Sequence, residues 1–82
     1  MPGQFQRLPI SMADLERWEA MGLRLGYAEP ELSLSLLELR GNPCKNLLEQ
    51  AAIAARYAAS KTAEPGKTLL AKLAEELERC AA

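Results

Sequence analysis

The residue types that most often carry out chemistry are scarce in this 82-residue chain. It has no histidine and only two cysteines, Cys44 and Cys80, so it lacks the four nitrogen and sulfur ligands from which structural zinc sites are usually built. Segment 66–68, Gly-Lys-Thr, has the order that ends a phosphate-binding loop, but Lys61 stands where that loop requires its first glycine. We therefore expect no metal, no nucleotide or other cofactor, and no small-molecule substrate.

Two closely spaced carboxylate pairs, Glu29 with Glu31 and Glu75 with Glu76, are the remaining candidates for chemistry. General acid–base catalysis requires a carboxyl group whose pKa is shifted by a cleft or by a neighbouring charge. The sequence pattern puts the first pair in a turn and the second on a polar helix face, where carboxylates stay solvated. We therefore predict that this protein is not an enzyme.

The balance of charge bears on the class of partner. The chain has 10 lysines and arginines against 11 aspartates and glutamates, and the two signs are interspersed. A dedicated nucleic-acid binder instead clusters its cations to neutralise phosphates, so nucleic acid is not the expected partner. One alternative stays open, a dimeric DNA-binding transcriptional regulator that gathers Arg7, Arg17, Arg24 and Arg40 into a cationic strip.

The sequence also bears on the compartment. No run of about 18 apolar residues occurs, so no membrane span is expected. The polar opening, MPGQFQRLPI, is not typical of a secretory signal peptide. We therefore expect a cytoplasmic protein with reduced thiols, while the pairing of Cys44 with Cys80 stays open.

Hydrophobic periodicity predicts an all-α fold, a small antiparallel bundle of about four helices in one domain, 11–82, after a flexible or extended arm, 1–10. The length allows one domain at most, with a thin stability margin. The predicted helices span approximately 12–25, 30–40, 43–61 and 66–80.

Local signals set the ends of the first two helices. Ser11 fits the N-cap of the first helix, and Gly26 fits its C-terminal stop. The second helix carries a competing signal, because leucine and serine alternate with period two over segment 32–36, as in a half-buried strand. We favour helix there, since a lone strand would have no partner, and leave open a strand that pairs across a dimer.

The third helix is predicted to lie at the centre of the bundle. Gly41 should close the second helix, Asn42 should cap the third, and Pro43 should be its first residue. Segment 47–60 is apolar on roughly three sides and rich in alanine, which is more apolar surface than short neighbours can cover. The width of this apolar face predicts a homodimer or an obligate complex with another protein.

The candidate partner-binding residues are leucines and aromatics. The leucines of the alternating run and the stripe at 69, 73 and 77 are expected to face outward. Aromatic residues are frequent binding anchors, although the apolar face of the first helix also makes the tryptophan a core candidate. The residues predicted to contact a partner are Phe5, Trp18, Leu34, Leu37, Leu69, Leu73 and Leu77.

A short, charge-balanced helical chain without catalytic groups is expected to work by docking. We predict a small non-enzymatic protein–protein interaction module, such as an adaptor, a co-chaperone or an inhibitor. Its partner would be another protein or a second copy of itself, and the contact would use apolar helix faces.

Overall fold

Four α-helices form most of the chain that the structure, a computed structural model, describes, which is residues 6–25 and 29–82. No strand occurs in those residues, so the predicted all-α class is confirmed. The helices follow the predicted order and nearly the predicted lengths. They are α1 (Met12–Leu25), α2 (Pro30–Gly41), α3 (Lys45–Ser60) and α4 (Gly66–Ala81).

The start of α1 is stabilised by Ser11, as predicted. Its hydroxyl accepts a hydrogen bond from the backbone N–H three residues later, at 3.2 Å. Leu15, Trp18 and Gly22 follow at intervals of three and four, so they share one face, and that face is buried. The predicted stop at Gly26 lies outside the described residues.

The leucine-rich segment 32–36 is helical, which decides against the strand that its alternation allowed. Leu32, Leu36 and Leu39 are buried on one face of α2, whereas Leu34 is 60% exposed on the other side. A strand would have required a partner strand, and the described chain offers none. Burial at helical spacing therefore overrides the local alternation.

Asn42 ends α2 and does not cap α3, contrary to the prediction. Its backbone N–H donates to two carbonyls of the last turn of α2, at 3.0 and 3.2 Å. α3 accordingly begins at Lys45 instead of Pro43, and the side chain of its N-cap residue, Cys44, makes no capping hydrogen bond. Pro43 and Cys44 are both buried, so tertiary packing and not helix capping determines their position.

The N-terminal arm is attached to this turn. The Leu8 backbone N–H donates to the Pro43 carbonyl at 2.7 Å, and the Leu8 and Ile10 side chains pack against the core. Residues 6–10 form no helix, and the flexible or extended arm over 1–10 stays a prediction. Phe5, which the sequence suggests as a partner contact, lies outside the described residues.

The helices form a closed ring in which each packs against its neighbours in the chain, and α1 also packs against α4. The most extensive of these contacts joins α3 to α4. No polar or charged side chain is buried among the described residues. The largest core side chains are Trp18 and leucines, and α3 adds the alanines Ala51, Ala52, Ala55, Ala58 and Ala59.

α1 and α2 approach each other closely at a glycine. A Cβ atom placed on Gly22 would overlap a methyl group of Leu36 and would lie 3.6 Å from Cγ of Leu32. By contrast, a Cβ atom on Gly41 would have no neighbouring atom within 4 Å. The absence of a side chain at Gly22 therefore sets how closely these two helices pack.

We expect Gly22→Val to lower the free energy of unfolding by about 1–3 kcal/mol, because the added atoms would displace the buried Leu36 and Leu32. Gly41→Val is the matched control. It should change stability by less than about 0.5 kcal/mol, since its side chain enters open space. Urea unfolding followed by circular dichroism measures both variants, and equal losses would contradict the close approach at Gly22.

Candidate functional site

An open groove with a volume of about 590 Å³ lies between α2 and α3. Its α3 wall is largely apolar, and the wall formed by α2 and the residue before it carries carboxylates. We refer to it as the α2/α3 groove. It is lined by Glu29, Glu31 and Ser35 on one side, and by Gln50, Ile53, Ala54 and Tyr57 on the other.

The apolar wall of the groove consists mainly of two exposed side chains of α3. Ile53 is 70% exposed and Tyr57 is 50% exposed. They are four residues apart, so they lie one helical turn from each other on the same face. Helical periodicity places Leu48 and Ala55 on the opposite, buried face. α3 therefore packs alanines in the core and leaves two larger apolar side chains outside.

The charge at one end of the groove is mixed. Glu29 is half-buried and Glu31 is exposed at the beginning of α2, where the helix dipole favours acidic side chains. The Lys61 ammonium lies 4.6 Å from the centre of the Tyr57 ring. Interaction with the Tyr57 side chain, and to a smaller degree the negative charge of Glu29, raises the pKa of Lys61. Lys61 therefore stays cationic at neutral pH.

A second hollow, of about 310 Å³, lies on the other side of Ile53 and is lined by Glu49, Ala52, Ile53 and Glu78. Glu78 accepts two hydrogen bonds from the Arg56 guanidinium, each at 2.7 Å, and this contact lowers the pKa of Glu78. Ile53 is thus an apolar ridge with carboxylates on both sides.

Two of the predicted partner residues lie on the surface. Leu34 and Leu37, which are 60% and 53% exposed, are on the outer side of α2. They do not line the α2/α3 groove. Their role in binding stays a prediction.

The predicted outward orientation of the α4 stripe is wrong. Leu73 and Leu77 are almost completely buried, and Leu69 is half-buried. The alanines of α3 supply little volume, so the leucines of α4 fill the core between the two helices. Trp18 is 1% exposed and also belongs to the core, so it presents no surface to a partner in this fold.

Ile53 and Tyr57 are not among the partner-binding residues predicted from the sequence. One signal was available, because Ile53 lies four residues after Glu49 and three before Arg56, in the middle of the polar face of α3. A lone large apolar side chain in a polar face marks a candidate contact. The position of that face of α3 beside Glu29 depends on tertiary structure, and no local sequence pattern indicates it.

One carboxylate outside the groove, that of Glu76, joins α1 to α4. Glu76 accepts a hydrogen bond from the Trp18 indole N–H at 3.1 Å and is ion-paired with Arg17, which also contacts Asp14 at 3.1 Å. The Arg17 contact is the main cause of a lowered pKa at Glu76, and the same contact raises the pKa of Arg17. A carboxyl group with a lowered pKa is deprotonated at neutral pH, so it cannot donate a proton as a general acid, and it is also a weak base. This cluster therefore serves to connect helices.

Three of the four arginines proposed for a DNA-binding strip are engaged within the part of the chain that the structure describes, and Arg24 is the exception. Arg17 is bound as described above, and Arg40 contacts Glu19 at 2.9 Å and Glu16 at 3.8 Å. Arg7 donates a hydrogen bond to the Gly41 carbonyl at 3.3 Å. Pairing with carboxylates reduces the positive potential that phosphate binding requires, so this arrangement does not favour the DNA-binding alternative.

The two cysteines are both free, which answers the question that the sequence left open. Cys44 is buried, and Cys80 is on the exposed side of α4. Partial burial, with the nearby Glu76 carboxylate, raises the pKa of the Cys80 thiol. A thiol with a raised pKa remains protonated and is a weak nucleophile.

Three further findings bear on the function. Within residues 6–25 and 29–82, no cluster of three or more potential ligands from His, Cys, Asp and Glu could hold a metal ion. None of the helices in that part of the chain has the length and apolar character that crossing a membrane requires. Comparison with protein families, curated proteins and solved structures found no match to this chain.

The lowered pKa of Glu76 predicts a pH dependence of stability. Because the unfolded carboxyl group binds a proton more readily, the stabilisation is present above about pH 5 and is lost as the pH falls through the acidic range. We expect Glu76→Gln to lose about 0.5–1 kcal/mol at pH 7, where the partly exposed pair is screened by solvent, and almost nothing at low pH.

Urea unfolding at neutral and acidic pH measures this difference. Glu75→Gln, an exposed neighbour on α4, controls for the removal of one negative charge and should behave like the wild type at both pH values. If acid lowered the free energy of unfolding of Glu76→Gln by as much as it lowers that of the wild type, the Glu76 carboxylate would not be the cause of the pH dependence.

Proposed function

We propose that this protein is a small, non-enzymatic protein–protein interaction module whose α2/α3 groove receives an amphipathic helix of another protein. The observation that supports this proposal is the exposure of Ile53 and Tyr57, one helical turn apart, in an open groove of about 590 Å³. Adaptors, co-chaperones and inhibitors can all act in this way.

Covering the α3 wall of the groove would be energetically favourable. Burial of one large apolar side chain contributes about 1.5–3 kcal/mol, and Ile53 and Tyr57 remain in water in the free protein. Single exposed apolar residues are ordinary on protein surfaces. Two of them on consecutive turns beside a groove match the spacing with which a guest helix presents its own apolar residues.

The composition of the groove fits a protein segment better than a small molecule. Small-molecule sites are enclosed and contain a few buried polar groups that fix the orientation of the ligand. This groove is open, and no polar side chain is buried in the described residues. Ser35 and Gln50 at its border offer hydrogen-bonding groups of the kind found at the polar rim of protein interfaces.

A second copy of the chain is the alternative occupant of the same groove. The homodimer was expected from the apolar width of α3, but α2 and α4 cover most of that width and leave Ile53 and Tyr57 as its large exposed apolar residues.

We further propose that the protein acts in the cytoplasm. The two free thiols support this location, since cysteines stay reduced there.

Selection from a library of helical peptides displayed on phage tests this function. We expect the selected peptides to bind the wild-type protein. The double variant Ile53→Ser with Tyr57→Ser should bind them at least about tenfold more weakly, because two apolar contacts are lost. Both residues are exposed, so the double variant should keep the thermal stability of the wild type.

The control for this selection is Met12→Ser. It removes an exposed apolar side chain from α1, outside the groove, and should bind the selected peptides like the wild type. Failure to select any peptide, or equal binding to all three proteins, would contradict the proposed function.

A further inference from the structure

We infer that the occupant of the α2/α3 groove is a cationic amphipathic helix. Its apolar stripe would contact Ile53 and Tyr57, and its lysines or arginines would lie along the edge that faces Glu29 and Glu31. This inference rests on the proposed function and adds the chemistry by which the groove would select its partner.

The carboxylates around the groove are available to a guest. In residues 6–25 and 29–82, no ion pair engages Glu29, Glu31 or Glu49. Glu29 and Glu31 line the groove itself, and Glu49 lies in the hollow on the other side of Ile53. A guest helix centred on Ile53 would therefore meet negative charge on both sides of its apolar stripe.

The protein already holds a cation at one end of this surface. The Lys61 ammonium lies 4.6 Å from the centre of the Tyr57 ring, within the range of a cation–π contact. The Glu29 carboxylate also acts favourably on that ammonium group. The combination of an aromatic face with nearby carboxylates thus favours positive charge here. Lys61 already occupies the Tyr57 face, so a guest cation would be attracted by Glu29 and Glu31 and opposed by Lys61.

The shape of the groove fits this arrangement. Ala54 lies in the lining between the exposed stripe of α3 and α2, and its small side chain leaves space for an apolar guest residue. Ile53 and Tyr57 are one turn apart, so guest residues at spacings of three and four can pack beside both. The guest positions that then face Glu29 and Glu31 are the ones where positive charge would be stabilised.

A second copy of the chain is a poorer match to this surface. Arg17, Arg40 and Arg56 are already held by carboxylates of their own chain. The exposed apolar side of α2 carries Leu34 and Leu37 near Glu31 and Glu38, and the neighbouring Arg40 is paired with Glu19. A second copy docking through this side would therefore bring carboxylates onto carboxylates. Like charges placed together oppose association, which favours a partner of opposite charge.

Two designed peptides test the inference with the full-length protein. Both are fluorescein-labelled amphipathic helices of about 18 residues with an identical leucine stripe, and they carry either lysines or glutamates along the flanks. We expect the lysine peptide to bind the wild type about tenfold more tightly at low salt, measured by fluorescence anisotropy. Added salt should reduce that preference, because the carboxylates are near the surface.

Charge-reversal variants locate the source of the preference. Glu29→Lys with Glu31→Lys should abolish the preference for the lysine peptide or reverse it. The matched control is Glu38→Lys with Glu75→Lys, which changes the net charge equally at exposed positions outside the groove and should keep the preference. Lys61→Met should strengthen binding of the lysine peptide about two- to threefold, and Lys72→Met should leave it nearly unchanged.

The outcomes separate this inference from the proposed function. Equal binding of both peptides, with loss of both in Ile53→Ser, would overturn the charge preference and leave the interaction function in place. Binding of neither peptide would overturn both. A dimer in light scattering that Ile53→Ser converts to monomer would identify a second copy as the occupant and overturn the inference.

Discussion

The close approach of α4 to the alanine face of α3 is the contact on which the rest of this small fold depends. Ala51, Ala55 and Ala58 are completely buried, and the volume that they lack is filled by leucines of α4. A chain of this length buries only about 60% of its unfolded surface, so few contacts are available to offset the entropy of ordering it. Because the described core contains no polar side chain, its stability depends on how tightly these apolar groups pack.

This packing also determines what is left on the surface. Alanines take the positions between α3 and its neighbours, so Ile53 and Tyr57 occupy the side of α3 that no other helix covers. In a stability-optimised bundle the larger apolar side chains would be inside, where each contributes about 1.5–3 kcal/mol. Their place beside a groove is not accounted for by folding alone, and it is the basis of the binding function proposed above.

Ion pairs link the helices to one another, whereas the carboxylates of the groove are not ion-paired in the part of the chain that the structure describes. Arg17 with Glu76 links α1 to α4, Arg40 with Glu19 links α2 to α1, and Arg56 with Glu78 links α3 to α4. The three arginines of these pairs are therefore not available to a partner. The carboxylates that line the groove take part in no such pair within the described residues, so a nearly neutral chain presents a locally acidic surface at the groove.

The sequence by itself determined the helical class, the start of α1 at Ser11 and the approximate extent of all four helices, because capping and periodicity act over a few residues. Tertiary structure decided what periodicity cannot: that segment 32–36 is helical, that Asn42 closes α2, and that Leu73 and Leu77 point inward. Periodicity shows which residues share a face, but not which faces meet. The groove between Glu29 and Ile53 exists only because packing brings together two helix faces that are distant in the chain.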